Sequence, residues 1–138
     1  MTRPILLDTC AAMWLVANDW MKQSAVDAMD HSADIGVPLF VSPITAWEVG
    51  NLGQTARFRS VHSPQRWFEL LRTTAGIRLC DLTGEILMGS SFLPGSFLRD
   101  PADRIIAATA REYGYTVMTR DKALLDYGGE GHLSVLEC

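Results

Sequence analysis

The segment from Leu98 to Asp121 constrains the fold more than any other part of the chain. Asp100 and Pro101 predict the start of a helix, because aspartate caps a helix and proline fits its first position. The helix that follows is apolar nearly all round, which predicts that it is buried. Residues 115–118 then have the composition of a β-strand, and Asp121 lies just beyond them. A helix and a strand therefore bring carboxylates towards one edge of a sheet.

The rest of the chain alternates short apolar strands with helices. Strands are predicted at 5–7, 39–41, 77–80, 115–118 and 133–136. Helices are predicted at 11–17, 21–33, from 43 onwards, 64–74, 83–92, from 101 to the turn at Gly114, and 122–127. This pattern predicts an α/β fold with a mostly parallel central sheet flanked by helices on both faces. The length of 138 residues suits one domain, predicted to span 1–138.

Composition narrows the class of protein. The three cysteines show no C-x-x-C spacing, which argues against a zinc ribbon or a disulfide framework and favours a reducing, cytoplasmic setting. We expect no export signal and no membrane span, because no apolar run is long enough for either. The net charge of −4 argues against extensive electrostatic binding to the phosphates of a nucleic acid. However, ten of the twelve basic residues are arginines, which suit phosphate, and a bound cation would offset an acidic cluster.

Four carboxylates are predicted to meet at one edge of the sheet. Asp8 follows the first strand, Glu48 lies on the helix after the second, Asp103 lies on the buried helix, and Asp121 follows a later strand. The neighbours of Glu48, Trp47 and Val49, are predicted as core residues. In open α/β sheets the functional crevice lies at the carboxyl ends of the strands. Carboxylates without nearby lysines or ligand histidines suit a hard divalent ion, Mg²⁺ or Mn²⁺.

Each acid also has an ordinary structural explanation. Asp8, Asp100 and Asp121 can serve as helix N-caps, and Asp103 can complement a helix dipole from the first turn. Glu48 can be an exposed helical residue. None of these explanations requires the acids to gather in space, so their convergence would distinguish a functional cluster from a set of caps.

Four short motifs together resemble the PIN-domain family, and in particular the VapC-type toxins of toxin–antitoxin pairs. The motifs are LLDT ending at Thr9, SPITAWEVG from Ser42, DPADRIIAATA from Asp100, and TRD ending at Asp121. The resemblance covers the whole chain. The chain departs from the family pattern at Leu98, where many relatives have a histidine. It also departs at 54–57, where the family's basic turn has fewer basic residues.

The resemblance implies a metal-dependent endoribonuclease that cuts RNA internally and acts as a toxin. It implies Asp8, Glu48, Asp103 and Asp121 as catalytic and metal-binding residues, with Mg²⁺ or Mn²⁺ as cofactor. Further residues receive supporting roles. They are the accessory residues Asp100, Arg104 and Thr119, and the candidate RNA contacts Arg57, Arg59, Arg99 and Arg120. The number of metal ions and the RNA target stay open.

The resemblance also implies a homodimer and a cognate VapB-type antitoxin as partner. An excess of large apolar residues in the first half of the chain agrees with such interfaces, although an ordinary core explains it equally well. These residues are Trp14, Trp20, Trp47, Phe58, Trp67 and Phe68.

Three other functions compete with this interpretation. A catalytically silent PIN-fold interaction module would not need four mutually repelling acids. A phosphoryl-accepting receiver domain would need an acidic pair near the first strand and a lysine after a late one, for which Lys122 is the one candidate. A structure-specific DNA nuclease of the wider superfamily would need additional segments.

Overall fold

A five-stranded parallel sheet forms the centre of the protein. The computed structural model describes residues 3–138, and its strand order is β3-β2-β1-β4-β5. The strands are β1 Ile5–Leu7, β2 Leu39–Val41, β3 Ile77–Leu79, β4 Thr116–Thr119 and β5 Ser134–Glu137. Every pairing in this sheet is parallel, so the predicted α/β architecture is confirmed. Parallel strands need crossover connections, and helices supply them.

Seven helices connect the strands in the described part of the chain. They are α1 Thr9–Ala17, α2 Gln23–Asp34, α3 Ile44–Gln54, α4 Pro64–Thr73, α5 Gly84–Gly89, α6 Pro101–Tyr113 and α7 Lys122–Gly129. Side-chain caps fix the start of five of them. The caps are Asp8, Ser63, Thr83, Asp100 and Asp121, each accepting a hydrogen bond from a first-turn N–H.

Both faces of the sheet are covered, because successive side chains of a strand point to opposite faces. Leu6 of β1 packs on one side with α6 and α7, where Ile106 and Leu124 are buried. Ile5 and Leu7 pack on the other side with α1, α2 and α4. The predicted helices on both faces are therefore confirmed, and the two cores hold the strand ends in fixed positions.

The helix predicted at 83–92 is shorter than expected. It begins after the predicted cap Thr83 but ends at Gly89. The Ser90 hydroxyl donates to the Leu87 carbonyl, and the backbone N–H of Phe92 donates to the carbonyl of Gly89. Both hydrogen bonds join residues three positions apart, so the helical pattern of bonds between residues four apart ends here. Serine side chains that bond to the backbone and glycine both favour the end of a helix.

The end of α7 also differs from the sequence prediction, which placed a break at Gly128. The helix instead continues to Gly129. A Cβ atom on Gly128 would lie 2.4 Å from Cγ2 of Val135, so glycine here allows α7 to approach β5 closely.

In residues 3–138 no helix has the length and apolar character needed to cross a membrane.

The two adjacent glycines of α7 give a matched test of this close approach. Gly128→Ala should lower the free energy of unfolding by about 1–3 kcal/mol, because the added methyl group collides with Val135. Gly129→Ala should leave stability unchanged or raise it by up to ~1 kcal/mol, since nothing lies within 4 Å of its Cβ position. Urea denaturation of both variants checks this. Equal stabilities would contradict the packing argument.

Candidate active site

Asp8 is the buried centre of the acidic cluster. It is 6% exposed and follows β1 directly. Its Oδ1 accepts from the N–H of Ala11 at 2.7 Å, and its Oδ2 accepts from the Thr119 hydroxyl. Burial raises the pKa of Asp8, the two hydrogen bonds lower it, and the charge of Asp121 raises it again. The side chain is thus fixed in orientation and lies within the field of a second acid.

Thr119 connects Asp8 to the start of α7. Its hydroxyl donates to Asp8 and accepts from the N–H of Asp121 at 2.9 Å. Asp121 then caps α7 by accepting from the N–H of Ala123 at 2.8 Å. Thr119 and Asp8 are both buried, so their contact is shielded from water. The sequence suggested an accessory role for Thr119, and the structure gives it a contact with one predicted site acid and the backbone of another.

Glu48 is connected to the N-terminus of α1. Its Oε1 accepts a hydrogen bond of 2.5 Å from the hydroxyl of Thr9. The Thr9 oxygen also lies 3.0 Å from the hydroxyl of Thr45, and because Thr9 has given its one proton to Glu48, Thr45 is the donor. Burial raises the pKa of Glu48, the bond from Thr9 lowers it, and the charges of nearby acids raise it. Among these acids are Asp100, Asp8 and Asp121.

Asp103 shows the strongest electrostatic perturbation. Its pKa is raised to about 8, most strongly by burial, then by a hydrogen bond with the side chain of Asp121 and by the charges of Asp121, Asp100 and Glu48. Asp100, the N-cap of α6, accepts from the N–H of Ala102 at 2.9 Å. The structure therefore brings the four predicted acids and Asp100 into one mutually repelling group.

No basic side chain neutralises this group in residues 3–138. The salt bridges of the described chain join other residues, namely Lys22 to Glu137, Arg72 to Glu69, and Lys122 to Asp126. The oxygen-only donors and uncompensated charge fit a hard divalent cation. The described side chains nevertheless contain no group of three or more acids, histidines or cysteines arranged as a metal-binding set. The chemistry of the donors fits the ion, but the cage is not preformed.

Comparison with known proteins identifies the fold family. The PIN domain model matches residues 5–130. The chain is 30% identical over 121 residues to Ribonuclease VapC22 of Mycobacterium tuberculosis, with 87% of this chain and 88% of that protein covered. The chain belongs to the PIN-domain family.

Solved structures share this PIN fold at low sequence identity. One is a VapBC2 complex from Rickettsia felis bound to a promoter DNA fragment, with 13% identity, a TM-score of 0.66, and coverage of 96% of this chain and 98% of that one. Another is a toxin–antitoxin complex from Klebsiella pneumoniae, with 21% identity, a TM-score of 0.58, and coverage of 96% and 95%. Identities this low support the similarity of fold.

The arginines that the sequence singled out in this PIN domain differ in their contacts. The guanidinium of Arg120 stacks on the Trp14 ring at 3.7 Å and donates to the Trp20 carbonyl at 2.5 Å, so it holds the segment between α1 and α2. Arg104 lies 4.9 Å from the centre of the Phe97 ring. Three further arginines are exposed. These are Arg57, Arg59 and Arg99, of which Arg57 donates to Thr55 at 3.2 Å.

Sequence reasoning missed several residues of the site and misplaced one. Thr9 and Thr45 orient Glu48, and their motifs LLDT and SPITAWE were the available signal. Cys10 was also missed; burial, followed by the charges of the four acids, raises the pKa of its thiol to about 11. The core prediction for Trp47 was wrong, because its side chain is 56% exposed while Val49 is buried. Helical residues two positions apart point about 200° apart, so Trp47 and Val49 lie on opposite sides of α3.

The raised pKa of Asp103 predicts a pH-dependent stability. An ordinary pKa of 3.8 applies when the chain is unfolded, whereas the folded value is about 8. The folded state therefore holds this proton more tightly, and Asp103 destabilises the fold progressively as pH rises from about 4 to 8. In EDTA at pH 8, Asp103→Asn should raise the free energy of unfolding by ~0.5–2 kcal/mol. The gain should vanish near pH 4.

The matched control is Asp30→Asn, which changes an exposed acid of α2 outside the cluster. Denaturation curves between pH 4 and 8 should show the same pH slope for this variant as for the original chain. If Asp103→Asn also keeps that slope, the carboxylate is not crowded and the electrostatic description of the site is wrong.

Proposed function

We propose that this PIN domain is a metal-dependent endoribonuclease that acts as the toxin of a toxin–antitoxin pair. The observation that carries the proposal is the group of carboxylates that α3 and α6 bring to the ends of β1 and β4, which has no basic partner in the described chain. The name of the mycobacterial relative, Ribonuclease VapC22, supports RNA as substrate. Three free cysteines agree with a reducing, cytoplasmic setting.

Asp8, Glu48, Asp103 and Asp121 are the residues proposed to hold Mg²⁺ or Mn²⁺. When bound, such an ion supplies Lewis acidity towards the scissile phosphate and lowers the pKa of water. Neutralisation of the acids would also remove the repulsion that raises the pKa of Asp103. Because the cage is not preformed, the exposed Asp121 and half-buried Asp103 are the side chains expected to rotate.

The residues of the site divide the remaining work. Asp8 is fixed by Ala11 and Thr119, so it gives the cluster a rigid point. Glu48 is held at one oxygen by Thr9, which leaves its second oxygen for the reacting groups. A carboxylate with a raised pKa is suited to accept the proton of an attacking water. The water oxygen bonds to phosphorus while the bond from phosphorus to one ribose oxygen breaks.

Purified protein should cleave structured RNA in Mg²⁺ or Mn²⁺ and lose this activity in EDTA. Asp8→Asn should lower the cleavage rate by at least ~100-fold, because it removes a carboxylate charge from the proposed metal site. Asparagine caps a helix about as well as aspartate, so the fold should be retained. Gel-based cleavage of labelled RNA measures the rate.

Asp30→Asn is again the control and should cleave at the original rate. Activity that persists in EDTA and in Asp8→Asn would exclude the metal mechanism. Complete inactivity of correctly folded protein with every divalent ion would favour the catalytically silent interaction module, which the absence of a preformed cage in the described residues also allows.

We extend the proposal to a homodimer that binds a VapB-type antitoxin. The similar structures from Rickettsia felis and Klebsiella pneumoniae are toxin–antitoxin complexes. Large apolar side chains on the surface agree with protein interfaces. The exposed fractions are 75% for Trp20, 56% for Trp47 and 97% for Val61. By contrast, Trp67 is buried at 3% exposure and belongs to the core.

Light scattering should give a mass of about 30 kDa for the purified chain, twice its 15.2 kDa. Expression from the native operon should co-purify a small partner, and adding that partner should stop RNA cleavage. A tagged chain expressed alone controls for nonspecific capture. A monomer at millimolar concentration would contradict the dimer, and a native operon that yields no bound partner would contradict the antitoxin.

A further inference from the structure

A cleft lies beside the acidic cluster, between α7 and the loop that precedes α6. Its volume is about 560 Å³, within the range of ~300–1,000 Å³ typical of small-molecule sites. Asp103 and Asp121 line the end nearest the cluster, and Phe97, Asp126 and Glu130 line the remainder. A group bound here would therefore be adjacent to a phosphate held at the acids.

Phe97 presents an open aromatic ring to this cleft. Its side chain is 71% exposed, so Phe97 is not a core residue. Leaving this much apolar surface in water costs free energy. The guanidinium of Arg104 lies over the ring, 4.9 Å from its centre. This contact holds Phe97 by a cation–π interaction while leaving most of the side chain accessible.

The loop that carries Phe97 is fixed on both sides of it. The N–H of Ser96 donates to Oε1 of Glu130 at 2.9 Å, and the hydroxyl of Tyr127 donates to the Pro94 carbonyl at 2.6 Å. On the other side, Leu98 is buried in the core that contains α6 and α7. The ring is consequently presented by a pre-organised backbone, so ligand binding needs little additional ordering.

The charges of the cleft select against a phosphate as its occupant. Asp126 and Glu130 add negative charge beyond the acidic cluster, and Arg99 is the one basic residue that lines the cleft among those described. Oδ2 of Asp126 accepts from Lys122 at 2.6 Å, and Oε1 of Glu130 accepts from the N–H of Ser96 at 2.9 Å. Each carboxylate has further lone pairs that can accept from a ligand. Carboxylate oxygens accept hydrogen bonds but never donate them, so they suit the N–H groups of a nucleobase edge.

We propose that this cleft binds one unstacked nucleobase of the RNA substrate, with its face on Phe97 and its edge towards Asp126 and Glu130. Stacking on aromatic side chains and hydrogen bonding along a base edge are how proteins recognise single-stranded RNA. Guanine fits best, because N1–H and the N2 amino group offer two adjacent donors. The proposal rests on the ribonuclease function and gives it a specificity determinant.

The first test compares three substitutions of Phe97 with a matched control. Phe97→Ala and Phe97→Leu should raise KM for RNA by about 5- to 150-fold, the range for losing one base–aromatic stack, with little change in kcat. Phe97→Trp should retain the original KM. Phe92→Ala removes another exposed phenylalanine, 82% exposed and lining a separate cavity, and should change nothing.

A second measurement identifies the base. Oligonucleotides that carry guanine, inosine, adenine or uracil beside the cleavage site should be cut with KM rising in that order, since inosine lacks the N2 amino group. An abasic nucleotide at this position should weaken the original protein more than Phe97→Ala does, because it removes the edge hydrogen bonds as well as the stacking. It should weaken the Phe97→Ala variant less than it weakens the original protein. Equal KM values for all bases would overturn the assignment of guanine.

Fluorescence anisotropy of labelled RNA in EDTA separates this proposal from the ribonuclease function. Binding that depends on Phe97 in a chain that never cleaves RNA would support the base site and refute the nuclease. Cleavage that is equal in Phe97→Ala and Phe92→Ala, with matching melting temperatures, would refute the base site and leave the nuclease. An unaltered KM in Phe97→Leu would show that no ring is needed and would overturn the stacking.

Discussion

The parallel register of β1 and β4 determines the geometry of the site. Leu7 pairs with Met118, and the N–H of Asp8 donates to the Met118 carbonyl at 3.2 Å. The next residue on each strand is therefore brought to the same edge, which places Asp8 against the hydroxyl of Thr119. A shift of this register by one residue would reverse every side chain of the strand and separate the pair. The acidic cluster exists because two buried strands end together.

Helix capping and metal chemistry are compatible explanations for the same acids. Asp8, Asp100 and Asp121 each cap a helix, and their carboxylates nevertheless share one electrostatic environment. The N-termini of three helices meet at this edge, and their partial positive charges stabilise nearby anions. Capping, typically worth about 1 kcal/mol, therefore offsets part of the repulsion that the cluster imposes on the folded chain. The protein tolerates a crowded site because the crowded groups also stabilise helix ends.

Local signals made most of the fold predictable. Strands such as β1 and β2 are short apolar runs, and caps such as Asp100 stand next to the helices that they start, so neighbouring residues suffice to find them. The bond from Thr9 to Glu48 joins residues 39 apart, and the contact of Arg120 with Trp14 likewise joins distant parts of the chain. Such contacts depend on how the helices pack, which a single sequence does not display. The exposure of Trp47 also depends on how α3 packs, since one helical residue can be buried beside an exposed neighbour.

The placement of the arginines explains why the acidic cluster stays uncompensated. Two of those nearest to it, Arg104 and Arg120, stack on the rings of Phe97 and Trp14 and form no salt bridge in the described chain. With a net charge of −4, the protein offers few cations to a phosphate backbone. Under the proposed function, affinity for RNA would then come from a bound cation at the acids and from contacts with the bases. Stacking of a base depends weakly on salt, whereas phosphate contacts depend on it steeply. The same arrangement would therefore favour recognition of an unstacked base over contacts with the phosphate backbone.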